Sequence, residues 1–169
     1  MLNNIIKINF NPKTIKRYIN IKVREYCKSC KRYGYKASCP PYIESVSYYK
    51  ELLPSFKYGT LIYKRCEIDN IDNWEQLGKD SSLKIHNELL KMRAELLKEG
   101  RFGVIFGAGS CKNCVKCSFP CKFPNKSIAP LEGTGVDVVK LMKKITKIEL
   151  KYPVENYKYF YRIGVMFYD

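Results

Sequence analysis

Four cysteines stand within eleven residues, at Cys111, Cys114, Cys117 and Cys121 of "GSCKNCVKCSFPCKFP". What these thiols hold constrains the chain more than any other feature, and the choices are disulfides, zinc or an iron–sulfur cluster. Three thiolates at C-x2-C-x2-C spacing on one loop can reach three irons of a 4Fe-4S cube, because the loop wraps a large ligand. The same run followed by proline is the bacterial ferredoxin motif, whose fourth cysteine serves a second cluster. Here Lys122 follows Cys121 and the prolines are Pro120 and Pro124, so the match is to the spacing alone.

A second group, Cys27, Cys30 and Cys39, lies in "CKSCKRYGYKASCPPY". Cys27/Cys30 and Cys111/Cys114 are two C-x2-C knuckles, enough for a tetrahedral zinc site of four thiolates. That arrangement leaves Cys39, Cys117 and Cys121 without a role, whereas iron–sulfur ligation uses more of the residues present. Cys66, alone on an expected strand, reads as a small buried hydrophobe rather than a remote fourth ligand. Disulfides fit poorly. "MLNNIIKINFNPK" lacks a basic n-region and its apolar run is broken by Lys7 and Asn9, so the expected location is the cytoplasm, where thiols stay reduced.

Charge is the second outlier, with 31 Lys plus Arg against 16 Asp plus Glu, formally +15. Metal-bound thiolates offset part of it, since a four-thiolate site carries about −2 net. The remaining excess suits an acidic redox partner protein; nucleic acid is a second, less favoured partner. No window is long enough for a membrane span, so no membrane partner is expected.

At 169 residues and 46% hydrophobic, the chain suits a single domain, residues 1–169, with a real core. Strands are expected over 5–10, 19–23, 59–68, 102–107 and 159–168, from period-2 alternation or short apolar runs. A short helix over 45–53 puts Val46, Tyr49 and Leu53 on one face before Pro54. A longer one runs from about Ser82 to Glu99 with Ile85, Leu89, Met92 and Leu96 inward, capped by Asp80 or Ser81 and stopped at Gly100. "TGVD" has the form of a capping box with Thr134 as cap, opening a helix that carries Val138, Leu141 or Met142, and Ile145 inward. The class is α+β, with α/β as the alternative: a small sheet flanked by helices, its two cysteine loops meeting at one end.

Other chemistry is sparse. Gly107 and Gly109 do not complete a dinucleotide fingerprint and instead let the chain turn sharply into the cysteine loop. His86, the only histidine, falls among polar neighbours and reads as a surface residue. Glu132 and Asp137 are the acid–base candidates, although Asp137 already has a capping use. No Ser/His/Asp or Cys/His pairing stands out.

Three segments together carry a family likeness: "CKSCKRYGYKASCPPY", "FGVIFGAGSCKNCVKC" and "CKFPNKSIAPLEGTGVDV". From about Cys27 to Val138 the chain resembles the domain-of-unknown-function family of predicted metal-binding proteins. That family's Ser-Met-Glu-Ala stretch reads "APLEG" here, which keeps Glu132 and loses the serine and methionine. The resemblance implies metal binding through Cys27, Cys30, Cys39, Cys111, Cys114, Cys117 and Cys121, and stops there. The resulting expectation is a cytoplasmic protein with one or two 4Fe-4S clusters, used for electron transfer or cluster-based redox chemistry. The alternatives are an enzyme with an open iron on one cluster, and a zinc-stabilised nucleic-acid-binding module.

Overall fold

In the computed structural model, which describes residues 4–68, 73–150 and 158–169, alternating strand side chains build a sheet buried on both faces. Its strands are β1 (Ile6–Phe10), β2 (Tyr58–Glu67), β3 (Gly103–Gly107), β4 (Ala129–Pro130) and β5 (Tyr159–Tyr168), in the order β1-β2-β5-β3-β4. β2 and β5 pair antiparallel along their whole length, from Tyr58 opposite Tyr168 to Glu67 opposite Tyr159. β1 and β3 pair antiparallel to β2 and β5 respectively, and β4 is a short parallel edge on β3.

Because successive side chains point to opposite faces, each strand serves two layers. Leu61 and Tyr63 of β2 join Val165 and Phe167 of β5 on one face, while Ile62 and Met166 serve the other. A long helix, α3 (Trp74–Lys98), covers the Ile62 face with Ile85, Leu89, Met92 and Leu96. The opposite face is covered by α2 (Val46–Leu52) and α4 (Val138–Thr146), through Val46, Tyr49, Leu141 and Met142. Each fully buried Leu or Ile in these layers contributes about 1.5–3 kcal/mol relative to its exposed state. The class is α+β, as expected, with a mixed and largely antiparallel sheet.

Three expected elements differ. Residues 19–23 are not a strand: Ile19 makes one isolated bridge to Val136, and Ile21–Glu25 form a helix, α1. The Asn20 side chain accepts from the Lys22 N–H at 2.9 Å, a cap that outweighs the alternating pattern. α3 starts eight residues before Ser82, so Asp80 and Ser81 are interior and not caps. The Ser81 and Ser82 hydroxyls donate back to the Gly78 carbonyl at 3.1 and 2.8 Å, the bond that lets serine sit inside a helix. Thr134 is not the cap of α4. Asp137 is, accepting from the Lys140 N–H at 3.0 Å, while the buried Thr134 hydroxyl donates to the Leu131 carbonyl at 2.6 Å. Among the described residues, no helix is long and apolar enough to cross a membrane.

Candidate metal centre

The first cysteine loop leaves α1 through a single 3-10 turn, Tyr26–Ser29, in which the Cys30 N–H donates to the Cys27 carbonyl at 3.0 Å. A bond from the Gly34 N–H to the Pro40 carbonyl (3.1 Å) closes the loop, and the Cys39 N–H donates to the Lys36 carbonyl at 2.9 Å. Arg24 of α1 donates to the carbonyls of Ile43 and Glu44, tying the start of the loop to its exit. Cys39 is buried and Cys30 exposed, with Cys27 between them.

The second loop leaves β3 at Gly107. A Cβ at that position would stand 2.3 Å from His86 Nε2, so only glycine lets the strand end lie against α3. Gly109 then turns with φ +70°, the left-handed conformation that glycine adopts without strain. Cys111, Cys114, Cys117 and Cys121 follow without regular structure. Among the described residues, no backbone amide from 110 to 122 donates to a backbone carbonyl.

The two loops meet, although about eighty residues separate them. The Ala37 N–H donates to Cys117 Sγ at 3.3 Å, and the Cys111 N–H donates to Ser38 Oγ at 3.4 Å. All four second-loop cysteines line one pocket, closed on the other side by Lys36, Ala37 and Ser38. The space between them is about 20 Å³, room for about one water-sized centre. A polyatomic cluster is larger, so the loop must spread to admit one, and no backbone ladder of its own opposes that.

Electrostatics divides the thiols. Burial pushes Cys39 up to about 11, with Ser38 opposing and Cys30, Cys27 and Cys111 adding to the shift. Burial also raises Cys27, helped by Glu132 and Cys30 and opposed by Arg24. Both thiols therefore hold their protons at neutral pH until a cation displaces them. Cys111 belongs to the pocket of the second loop and also acts on Cys39 of the first, so it stands between the two sets. Half-buried Lys112 has its pKa lowered by burial, with Arg162, Arg32 and Lys36 adding like charge. Of these cations, Lys36 lines the pocket of the second-loop thiols.

All eight cysteines are free, and among the described residues no three His, Cys, Asp or Glu side chains converge as ligands of a single ion. Cys66 is buried on β2 with Sγ 3.8 Å from the Lys64 carbonyl, and it lines neither the pocket nor the larger cavity beside Cys27.

Two features escaped the sequence reading. His86 is not on the surface but fully buried, and neither ring nitrogen completes a hydrogen bond. The sequence carried a signal: position 86 is four residues after Ser82 and three before Leu89, both on the buried face of α3. Arg162 is the other, a cation inside the apolar run "YFYRIGVMFY", where such a residue asks for an explanation. With Glu132 it lines a second cavity that reaches Cys27 and Cys30.

A family model described as "Predicted metal-binding protein (DUF2284)" matches residues 12–167, the same family whose likeness the cysteine motifs carry. Neither a curated protein nor a solved structure matches the chain.

Proposed function

We propose, from the premise that the chain belongs to the predicted metal-binding protein family, that it is an iron–sulfur protein serving electron transfer. The observation that carries this reading is the second loop. Its four thiols line one pocket while its amides lack backbone acceptors. Cluster sulfides accept hydrogen bonds from such amides, whereas a zinc site offers only its thiolates. Cys111, Cys114, Cys117 and Cys121 are the proposed ligands, and a 4Fe-4S cluster held by them would supply one-electron redox chemistry.

Cys27, Cys30 and Cys39 form a second proposed metal-binding set. With Cys111 committed to the second loop, this set has three thiols, which would leave a metal there one open position, as in catalytic sites. The excess of positive charge supports docking of an acidic redox protein in a reducing cytoplasm. One observation favours a second reading. Cys27/Cys30 and Cys111/Cys114 are two C-x2-C knuckles, the four thiols that a tetrahedral zinc site needs. A zinc-stabilised, basic nucleic-acid-binding module is the form that reading takes.

Reduction separates the two. Dithionite under anaerobic conditions is expected to bleach the visible absorption and produce an electron paramagnetic resonance signal from the reduced cluster. A metal-loaded protein that accepts no electron contradicts the electron-transfer reading and supports zinc.

A further inference from the structure

Beside Cys27 and Cys30 lies a cavity of about 610 Å³, bounded by the start of α4, the 3-10 turn Glu132–Thr134 and the first half of β5. Its volume is that of a small-molecule site. The walls are largely apolar, with Val136, Val139, Leu150 and Phe160 among them, and two charges interrupt them, Glu132 and Arg162.

Neighbours position the backbone that carries Glu132 and the guanidinium of Arg162. The Leu131 N–H donates to the Gly107 carbonyl at 3.2 Å, and the Asp137 N–H to the Tyr18 carbonyl at 2.7 Å, so the turn carrying Glu132 is pinned between β3 and the segment leading to α1. The Arg162 guanidinium carbon stands 4.8 Å from the Phe160 ring centroid. α3 also lies against it, where a Cβ at Gly78 would come within 2.6 Å of Nη2. Glycine is disfavoured inside a helix, and here it makes room for the half-buried Arg162 side chain. Glu132 and Arg162 act on each other electrostatically, yet no ion pair joins them among the described residues, and Arg162 Nε is buried without a partner.

We infer that this cavity binds a small amphipathic zwitterion of the apolar amino-acid type, its carboxylate on Arg162, its ammonium on Glu132 and its side chain against the apolar walls. The guanidinium fork matches a carboxylate in plane and charge. A carboxylate fixed apart from it in the same cavity asks for a cation on the same molecule. A ligand with only one of the two groups makes one charge-assisted contact where the zwitterion makes two, and so binds more weakly. The inference goes beyond the metal reading and does not depend on it.

The test is calorimetric titration of the protein as purified, with L-leucine and L-phenylalanine as probes. Isovalerate and phenylacetate carry the carboxylate alone; isoamylamine and phenethylamine carry the amine alone. At least one amino acid is expected to bind, with both of its single-ended analogues weaker by about tenfold or more. Arg162→Met and Glu132→Gln are each expected to weaken the amino acid by a similar factor, with circular dichroism unchanged. The analogue comparison uses the wild-type chain, so it decides the matter even where a variant fails to fold. Binding of neither amino acid, equal binding of a single-ended analogue, or undiminished binding by both variants overturns the inference. Metal content measured on the same samples keeps the two readings apart: amino-acid binding without iron sinks only the iron–sulfur one.

Discussion

His86 shows what one side chain adds to the account. Burial and the nearby charge of Lys112 push it down to about 4, with the Ala108 backbone opposing. The unfolded chain takes up a proton near pH 6.5 that the folded chain refuses until about pH 4, so stability is lost as pH falls through that window. Urea midpoints compared with His86→Met at each pH should show wild type losing about 3 kcal/mol relative to the variant between neutral pH and about pH 4. A difference independent of pH contradicts the buried, neutral histidine. The cysteines divide similarly. Cys66→Ser should keep its metal and cost about 1–3 kcal/mol through a buried hydroxyl. Cys114→Ser should lose metal and stability together; iron lost from the first and kept by the second would reverse the assignment. The cysteines were legible because spacing announces ligand chemistry. His86 and Arg162 were not, because the roles of a lone cation or imidazole in an apolar run depend on neighbours from other elements: Gly107 and Lys112 for one, Gly78 and Glu132 for the other.

The elements that follow hydrophobic periodicity were legible. β2, β3 and β5 fall within one residue of expectation, and Ile85, Leu89, Met92 and Leu96 form the buried stripe of α3. The misses are at ends, where side chains compete for backbone groups. "INIK" alternates like a strand, but Asn20 caps a helix; Ser81 and Ser82 resemble a helix start, but bond backwards within one. The capping box gave the right helix with the wrong cap, because Thr134 turns to Leu131 and leaves the role to Asp137. Asp137→Ala should therefore lower stability by about 1 kcal/mol in urea unfolding, with far-ultraviolet circular dichroism reporting a shortened α4. No loss at Asp137 contradicts this assignment of the cap.

At the scale of the whole molecule, the sheet places two loops from distant parts of the chain at one end and joins them by hydrogen bonds to Cys117 Sγ and Ser38 Oγ. That meeting was legible in the cysteine spacing. The approach of Cys111 to Ser38 of the first loop, and the cavity with Glu132 and Arg162, needed the fold in three dimensions. Seven cysteines belong to the two loops and two fully ligated cubes need eight, so the metal inventory decides between clusters and zinc. Iron, acid-labile sulfide and zinc should be quantified on protein made with ample iron and purified without oxygen. Iron and sulfide are expected in equal amounts, about four of each per cluster, with zinc negligible. Stoichiometric zinc without iron or sulfide would contradict the iron–sulfur reading.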